Sequence, residues 1–423
     1  MPNGYRPPVT DRRPAGGERL GRPFWTLLTS SGLSNLADGV FKLALPLVAI
    51  RYTRSPAVIA GLELVRTLPW LLGSLHVGAL TDRLDRRSVM LWANTARAVL
   101  VAVPAVAIGV DAGSVGLLYI AAVGTGMAEV FYDTAAQALL PSLVGRGRLD
   151  RANGRLYAVE LGAQEFVGPP LAGALVAIAV ALSFGTSAAL WVVAIIFLLA
   201  VRGTFRPPGE PGGASIRSDI RQGLAFVLGR PTLRTMAVMV GMTNLATSAV
   251  FPVLVLFAVG PDSAMGLTEP QFGLLFAVLA AGGVIGSFLA EWAQRRIGRS
   301  RVLTISILGT VGYVAVPAVT NQVAVIAAAM FVGGLTIMLW NVTTVSFRQR
   351  VTPDHLLGRM NSAYRLVAWG TRPLGAALGG FLGEWIGLRG VFAIMGLVTV
   401  ATLVPNRSLT EQNLREAESQ GEL

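Results

Sequence analysis

The sequence predicts an all-α polytopic membrane protein, with twelve transmembrane helices in two pseudo-symmetric six-helix bundles. Three observations predict it. Apolar blocks about one bilayer long recur from end to end, arginines fall in alternate connections between them, and the second half repeats landmarks of the first. Of 423 residues, 53% are hydrophobic and only 14% charged, where a soluble chain carries charge at about a quarter of its positions. Each block is close to the ~20 residues that span a hydrocarbon core as a helix.

Residues 1–23, rich in Pro, Gly and Arg, read as a disordered cytoplasmic tail. The apolar run after them is too long for a signal-peptide core and lacks a cleavage site, so it stays as the first helix. Helices are predicted at 24–50, 56–80, 88–110, 114–139, 154–179 and 184–203, an N-terminal bundle over 24–203. A second set at 232–259, 270–293, 300–318, 322–346, 362–385 and 389–405 makes a C-terminal bundle over 232–405. Between them, 204–231 is a cytoplasmic linker. Its first part, Arg206-Pro-Pro-Gly-Glu-Pro-Gly-Gly213, admits no regular element. Its second part sets Ile216, Ile220, Leu224 and Val227 on one face and Arg217 and Arg221 on another, an amphipathic helix expected on the inner membrane surface. Residues 406–423 are expected to form a polar, mobile cytoplasmic tail.

Orientation follows from arginine. Arg83, Arg86, Arg87, Arg146, Arg148, Arg151, Arg295, Arg296, Arg299, Arg348, Arg350 and Arg359 fall on one side, against Arg51, Arg54 and Arg389 on the other. Both termini are therefore expected in the cytoplasm. The net charge of +12 is an orientation signal on this reading and not a nucleic-acid surface. There is no cysteine, which excludes disulfides and thiolate metal sites. His76 and His355 are too few and too scattered for a metal, so no metal or cofactor is expected.

Between the second and third blocks stands Gly78-Ala-Leu-Thr-Asp-Arg-Leu-Asp-Arg-Arg87, a tight charged turn between membrane-length runs. Its order, Gly-x-Leu-x-Asp-Arg-x-x-Arg-Arg, resembles the signature that follows the second helix of the major facilitator superfamily. The halves echo each other as that superfamily's repeat implies. Pro141 to Asn153 precedes the fifth helix and Pro353 to Asn361 the eleventh. Gly162 and Gly370 each lie nine residues after the asparagine, and Gly168-Pro-Pro-Leu-Ala-Gly173 matches Gly375-Ala-Ala-Leu-Gly-Gly380. The charged turn has a degenerate echo in Gly286-x-x-x-Ala-Glu-Trp-x-x-Arg-Arg-Ile-Gly-Arg299. Gly162, Gly168, Pro169 and Gly173 resemble the glycine-proline motif of superfamily members that export by antiport. Such glycines let helices approach and such a proline bends its helix, so packing alone is the other reading. The run Pro141–Asn153 and the helix after the linker resemble the siderophore-exporter and macrolide-efflux branch, the transmembrane secretion effectors.

Charges inside membrane helices are costly, and each marks a functional hypothesis. Asp38 lies mid-way along the first helix, either as a cavity carboxylate or as an i,i+4 partner of Lys42, the only lysine. Glu129 and Asp133 share a face of the fourth helix, so one is expected to hold a proton unless both are wet at the cytoplasmic mouth. Glu165, near mid-membrane in the fifth helix, is the preferred proton site. Glu63 and Arg66 read as a structural i,i+3 pair, and Arg97 as a counter-charge for an acid of another helix. Arg372 stands almost alone in the eleventh helix and needs an acid of the first half or an anionic substrate group. Asn244, Trp340 and Asn341 are candidate cavity residues.

The resemblance implies two bundles rocking about a central site. Asp82 would sit at the N-terminal end of the eleventh helix, while Arg83, Arg86 and Arg87 hold neighbouring acids and lipid phosphates, closing the cytoplasmic side. Asp82→Asn should then abolish transport without loss of protein from the membrane. Drug antiporters of the superfamily carry a functional arginine in the fourth helix, and 119–140 has none, so Glu129 and Glu165 are inferred substitutes. The expected function is proton-coupled efflux of a bulky apolar organic compound by a monomer in a bacterial inner membrane. A nutrient uniporter or importer and a non-transporting sensor are the alternatives. No phosphate-binding Gly-x-x-x-x-Gly-Lys loop or catalytic spacing points to an ATP-driven pump or an enzyme.

Overall fold

In lipid, backbone N–H and C=O groups find no water, so apolar blocks pair them internally as helices. The computed structural model describes residues 20–81, 84–144, 148–203, 205, 216–353 and 356–419. In the first half these form α1 (Arg22–Ala49), α2 (Pro56–Thr81), α3 (Arg86–Gly109), α4 (Val115–Leu143), α5 (Leu149–Leu161), a π-helical turn (Gly162–Val167), α6 (Gly168–Ile178) and α7 (Val180–Leu199). The second half begins with α8 (Ile216–Gly229), followed by α9 (Pro231–Ala258), α10 (Glu269–Ile297), α11 (Arg299–Val319) and α12 (Val323–Val351). It ends with α13 (Leu357–Gly370), α14 (Arg372–Ala401), α15 (Leu403–Asn406) and α16 (Glu411–Ser419). Apart from one bridge between Val259 and Leu267, the regular structure among the described residues is helical.

Local chemistry explains the ends. Asp85 caps α3 by accepting from the Ser88 N–H, and Ser114 caps α4 through the Leu117 N–H. Thr268 and Gln271 make a reciprocal capping box at α10. Gly298 and Gly387 have φ of 86° and 73°, where a side chain would strain the backbone. Gly298 turns α10 into α11, and Gly387 splits α14 into arms 372–386 and 388–401.

Nine helices among the described residues are long and apolar enough to cross a membrane. In the first half α1 packs on α6 and α7, α3 on α4 and α7, and α2 on α4. In the second, α9 packs on α14, α10 on α12, and α11 on α12 and α14. The halves meet along α2 with α14 and along α6 with α10. Phe288, Val319 and Trp385 are at least 76% exposed. An apolar exterior of that kind is what lipid contact requires.

Three expectations change. The first helix begins at Arg22, with Leu20 already buried, so the N-terminal tail ends earlier than 23; residues 1–19 lie outside the described residues. The helix after the linker does not offer its apolar face to lipid alone. Val227 is buried, and the backbone carbon of Arg359 in α13 is 2.8 Å from where a side chain on Gly223 would start. The C-terminal tail is not wholly mobile, because α16 is held by ion pairs from Glu411 and Glu418 to Arg299 and from Glu418 to Arg350. The side chain of His76, and His355, fall outside the described residues.

Candidate functional site

The charges of the first half converge in one layer. Arg97 of α3, fully buried, donates to Asp38 of α1 at 2.7 Å (Oδ2) and 3.0 Å (Oδ1). Its guanidinium lies 4.7 Å from the Tyr132 ring centroid and 5.9 Å from that of Trp191. Asp38 therefore pairs with Arg97 and not with Lys42. Lys42, one turn further along α1, reaches Glu165 of the π-turn at 2.8 Å. Arg66 of α2 is a hub, with Glu63 at 2.8 Å and Glu129 of α4 at 3.3 Å. Glu129 is thus charge-compensated, and the expected pair of unpartnered carboxylates on α4 is not found. Asp133, half-buried, makes no ion pair or hydrogen bond among the described residues, and Glu160 accepts from the Ser31 hydroxyl at 2.9 Å.

Exposure separates these carboxylates. The Glu165 side chain is 39% exposed, against 13% for Asp38, 12% for Glu63 and 15% for Glu129. The π-turn puts Glu165 there. Its backbone crosses α1 so closely that a side chain on Gly39 would collide with Gln164. A side chain on Gly168 would start 2.7 Å from Gly39, and one on Gly173 would start 2.8 Å from Gly273 of α10. Gly168 and Gly173 are contact glycines, whereas Gly162 faces open space. Pro169 is the second residue of α6, directly after the π-turn. Phe166 of the turn touches α10 beside Gly283, so the turn lies on the seam between the halves.

In the second half, Arg372 begins α14 and stands 5.5 Å over Trp369. Trp369 in turn meets Trp70 of α2 edge-on at 5.2 Å. Asn244, half-buried, donates to the Ala368 carbonyl at 2.7 Å and braces the step between α13 and α14. Trp340, half-buried, packs on the apolar cluster around Met236 and Phe347. Asn341 is half-buried without a side-chain hydrogen bond among the described residues.

The charged turn is assigned differently too. Gly78 lies on the last turns of α2, and Asp82 and Arg83 fall outside the described residues. Arg86 donates to the Ala138 carbonyl of α4 at 2.8 Å, and Arg87 to the Leu198 and Leu199 carbonyls of α7 at 3.1 and 2.9 Å. Arg87 caps the end of α7, whose C-terminal carbonyls carry partial negative charge, and Arg86 binds a carbonyl five residues before the end of α4; neither makes an ion pair with an acid among the described residues. Burial raises the Asp85 carboxyl, but the N–H groups of Phe205 and Ser88 outweigh it and hold it below the ordinary range.

A lipid-compatible exterior around a charged interior, with halves meeting on that interior, is the architecture of a polytopic membrane protein, and the chain's relatives place it among the transporters of the major facilitator superfamily. The chain belongs to the transmembrane secretion effector family of that superfamily, whose profile matches residues 21–422. It is 28% identical over 399 residues to the multidrug efflux pump Tap of Mycolicibacterium fortuitum, covering 89% of this chain and 92% of the pump. It is 27% identical over 319 residues to the enterobactin exporter EntS of Salmonella choleraesuis, covering 74% of each. Among solved structures, a mutant of the nucleoside transporter NupG superposes with a TM-score of 0.71 at 13% identity, over 92% of this chain and 100% of that one.

Proposed function

We propose that the chain is a secondary active efflux transporter of a bacterial inner membrane, exchanging inward-moving protons for a bulky, largely apolar organic compound. Two six-helix bundles, 24–203 and 232–405, rock about the seam and open the charged layer to one side at a time. The count of twelve crossings rests on adding α1 and α2, whose buried charges lower their hydropathy, and on counting the arms of α14 apart at Gly387. The seam pairings support a two-fold relation, since exchanging the halves turns the α2–α14 contact into the α6–α10 contact. Efflux as the direction is supported by relatives named as a multidrug pump and an enterobactin exporter. Cytoplasmic termini follow from the arginine distribution, and the working unit is the monomer.

The observation that carries the reading is Glu165. It combines a charge partner at 2.8 Å, the largest exposure among the ion-paired carboxylates of the layer, and a position on the seam. Protonating it frees Lys42, and deprotonating it recaptures Lys42, so one proton changes the charge of the seam. In inverted vesicles, uptake of an exported compound should collapse with a protonophore and proceed without ATP. Glu165→Gln should leave counterflow and remove the dependence on the proton gradient. Flux that persists without a gradient in the wild type points to a uniporter or importer, and absence of any counterflow to a sensor.

A further inference from the structure

The step between α13 and α14 presents a cation that the proton reading does not use. Pro373 has no N–H for the Trp369 carbonyl, so the helical ladder is interrupted there. The Thr371 hydroxyl donates to Gly241 O at 2.9 Å and the Asn244 amide to Ala368 O at 2.7 Å, which fixes the interruption against α9. Arg372 is the first residue beyond it. Across the seam, Glu63 and Glu165 are already held by Arg66 and Lys42. Arg372 makes no ion pair among the described residues, and its one close partner is the Trp369 ring. A guanidinium within a membrane-spanning segment needs a counter-charge from somewhere.

The repeat sharpens the point. Gly370 corresponds to Gly162, so the interruption at Thr371 and the π-turn occupy matching places in the two halves. Interrupted helices at corresponding positions of the two halves point to the binding site of a secondary transporter. On the footing of the transport reading, we infer that Arg372, Trp369 and Trp70 form a recognition point for an aromatic organic anion. The carboxylate or phenolate of the transported compound meets the planar guanidinium, and its ring packs against the two indoles. A cationic analogue is repelled there, and a neutral one leaves the guanidinium uncompensated.

The test uses the full chain in lipid nanodiscs and three compounds with one ring system: naphthalene-2-carboxylate, naphthalene-2-carboxamide and 2-naphthylmethylammonium. Binding is measured by calorimetry without any proton gradient. The wild type should bind the carboxylate about tenfold or more tightly than either other compound, a difference typical of a charge-assisted pair. Arg372→Gln should erase that preference without changing carboxamide affinity, Arg372→Lys should keep part of it, and Trp369→Leu should weaken the carboxylate and carboxamide alike. Equal affinity for the three compounds, a preference that survives Arg372→Gln, or no binding at millimolar concentration would overturn the site. A wild type that binds the carboxylate selectively but shows no vesicle uptake refutes the transport reading and leaves the site standing.

Discussion

Arg97 is fully buried, and its charge is answered by Asp38 at 2.7 Å and by the faces of Tyr132 and Trp191. Removing one partner of such a pair leaves an uncompensated buried charge, whereas removing both can be nearly neutral. Asp38→Asn should therefore destabilise the folded chain by about 3–5 kcal/mol, and Asp38→Leu combined with Arg97→Met should recover most of that loss. Unfolding of purified variants in detergent decides it; a double variant no better than Asp38→Asn would mean that Asp38 acts outside the pair. The existence of these charges was legible in the sequence, because each is an exception within an apolar block. The Glu63–Arg66 pair and the inter-helix role of Arg97 were legible too, but the particular partners across helices were not. Asp38 and Lys42 share a helix face, yet they bond to α3 and to the π-turn, because helix crossings decide which side chains meet and spacing along one helix does not report crossings.

At the scale of elements, the π-turn had a trace in the sequence that spacing alone did not interpret. Gly162 to Gly168 is six residues, whereas Gly370 to Gly375 is five. A π-turn is an α-helix that has absorbed one extra residue. Deleting Ala163 should relax the turn to α-helix, keep both flanks packed, and swing Glu165 away from Lys42. Membrane abundance should stay near wild type while proton-dependent uptake is lost, and unchanged uptake would remove the turn from the mechanism. Elements held by distant contacts left weaker traces: α16 is short and polar, and its docking depends on Arg299 and Arg350 far back in the chain. Burial raises the Glu418 carboxyl, but hydrogen bonds and charge from Arg299 and Arg350 outweigh it and hold it below the ordinary carboxylate range. A lowered value means that the contact stabilises above the ordinary pKa of about 4.3 and fades as pH falls through the folded value. Limited proteolysis should release α16 in acid and not at neutral pH. Glu418→Gln should raise cleavage at neutral pH and flatten the pH dependence.

Over the whole molecule, arginine placement and paired glycines repeat in the sequence and suggest two halves, while the contacts that join them leave no such trace. The connection after α1 carries several of them. Arg51 pairs with Glu269 at 3.0 Å, Arg54 donates to the Val259 carbonyl at 3.0 Å, and Ser55 and the Ala57 N–H both bond to Glu384. All lie at the ends of helices opposite α16, and all must part if that face opens. Arg51 is 47% exposed and Glu269 24%, so this pair contributes at the level of a surface bridge, up to about 1 kcal/mol or roughly fivefold in a two-state population. Arg51→Glu should accordingly shift the balance a few-fold toward the open face and not lock it, and Arg51→Glu with Glu269→Arg should bring it back. The chain has no native cysteine, so spin labels at Thr53→Cys and Asp262→Cys can report the separation directly. The long-distance fraction should grow in the single variant and shrink again in the swap. If it is the same in all three, the bridge follows the movement of the halves without biasing it, and the restraint at this face must lie with Arg54 or Glu384.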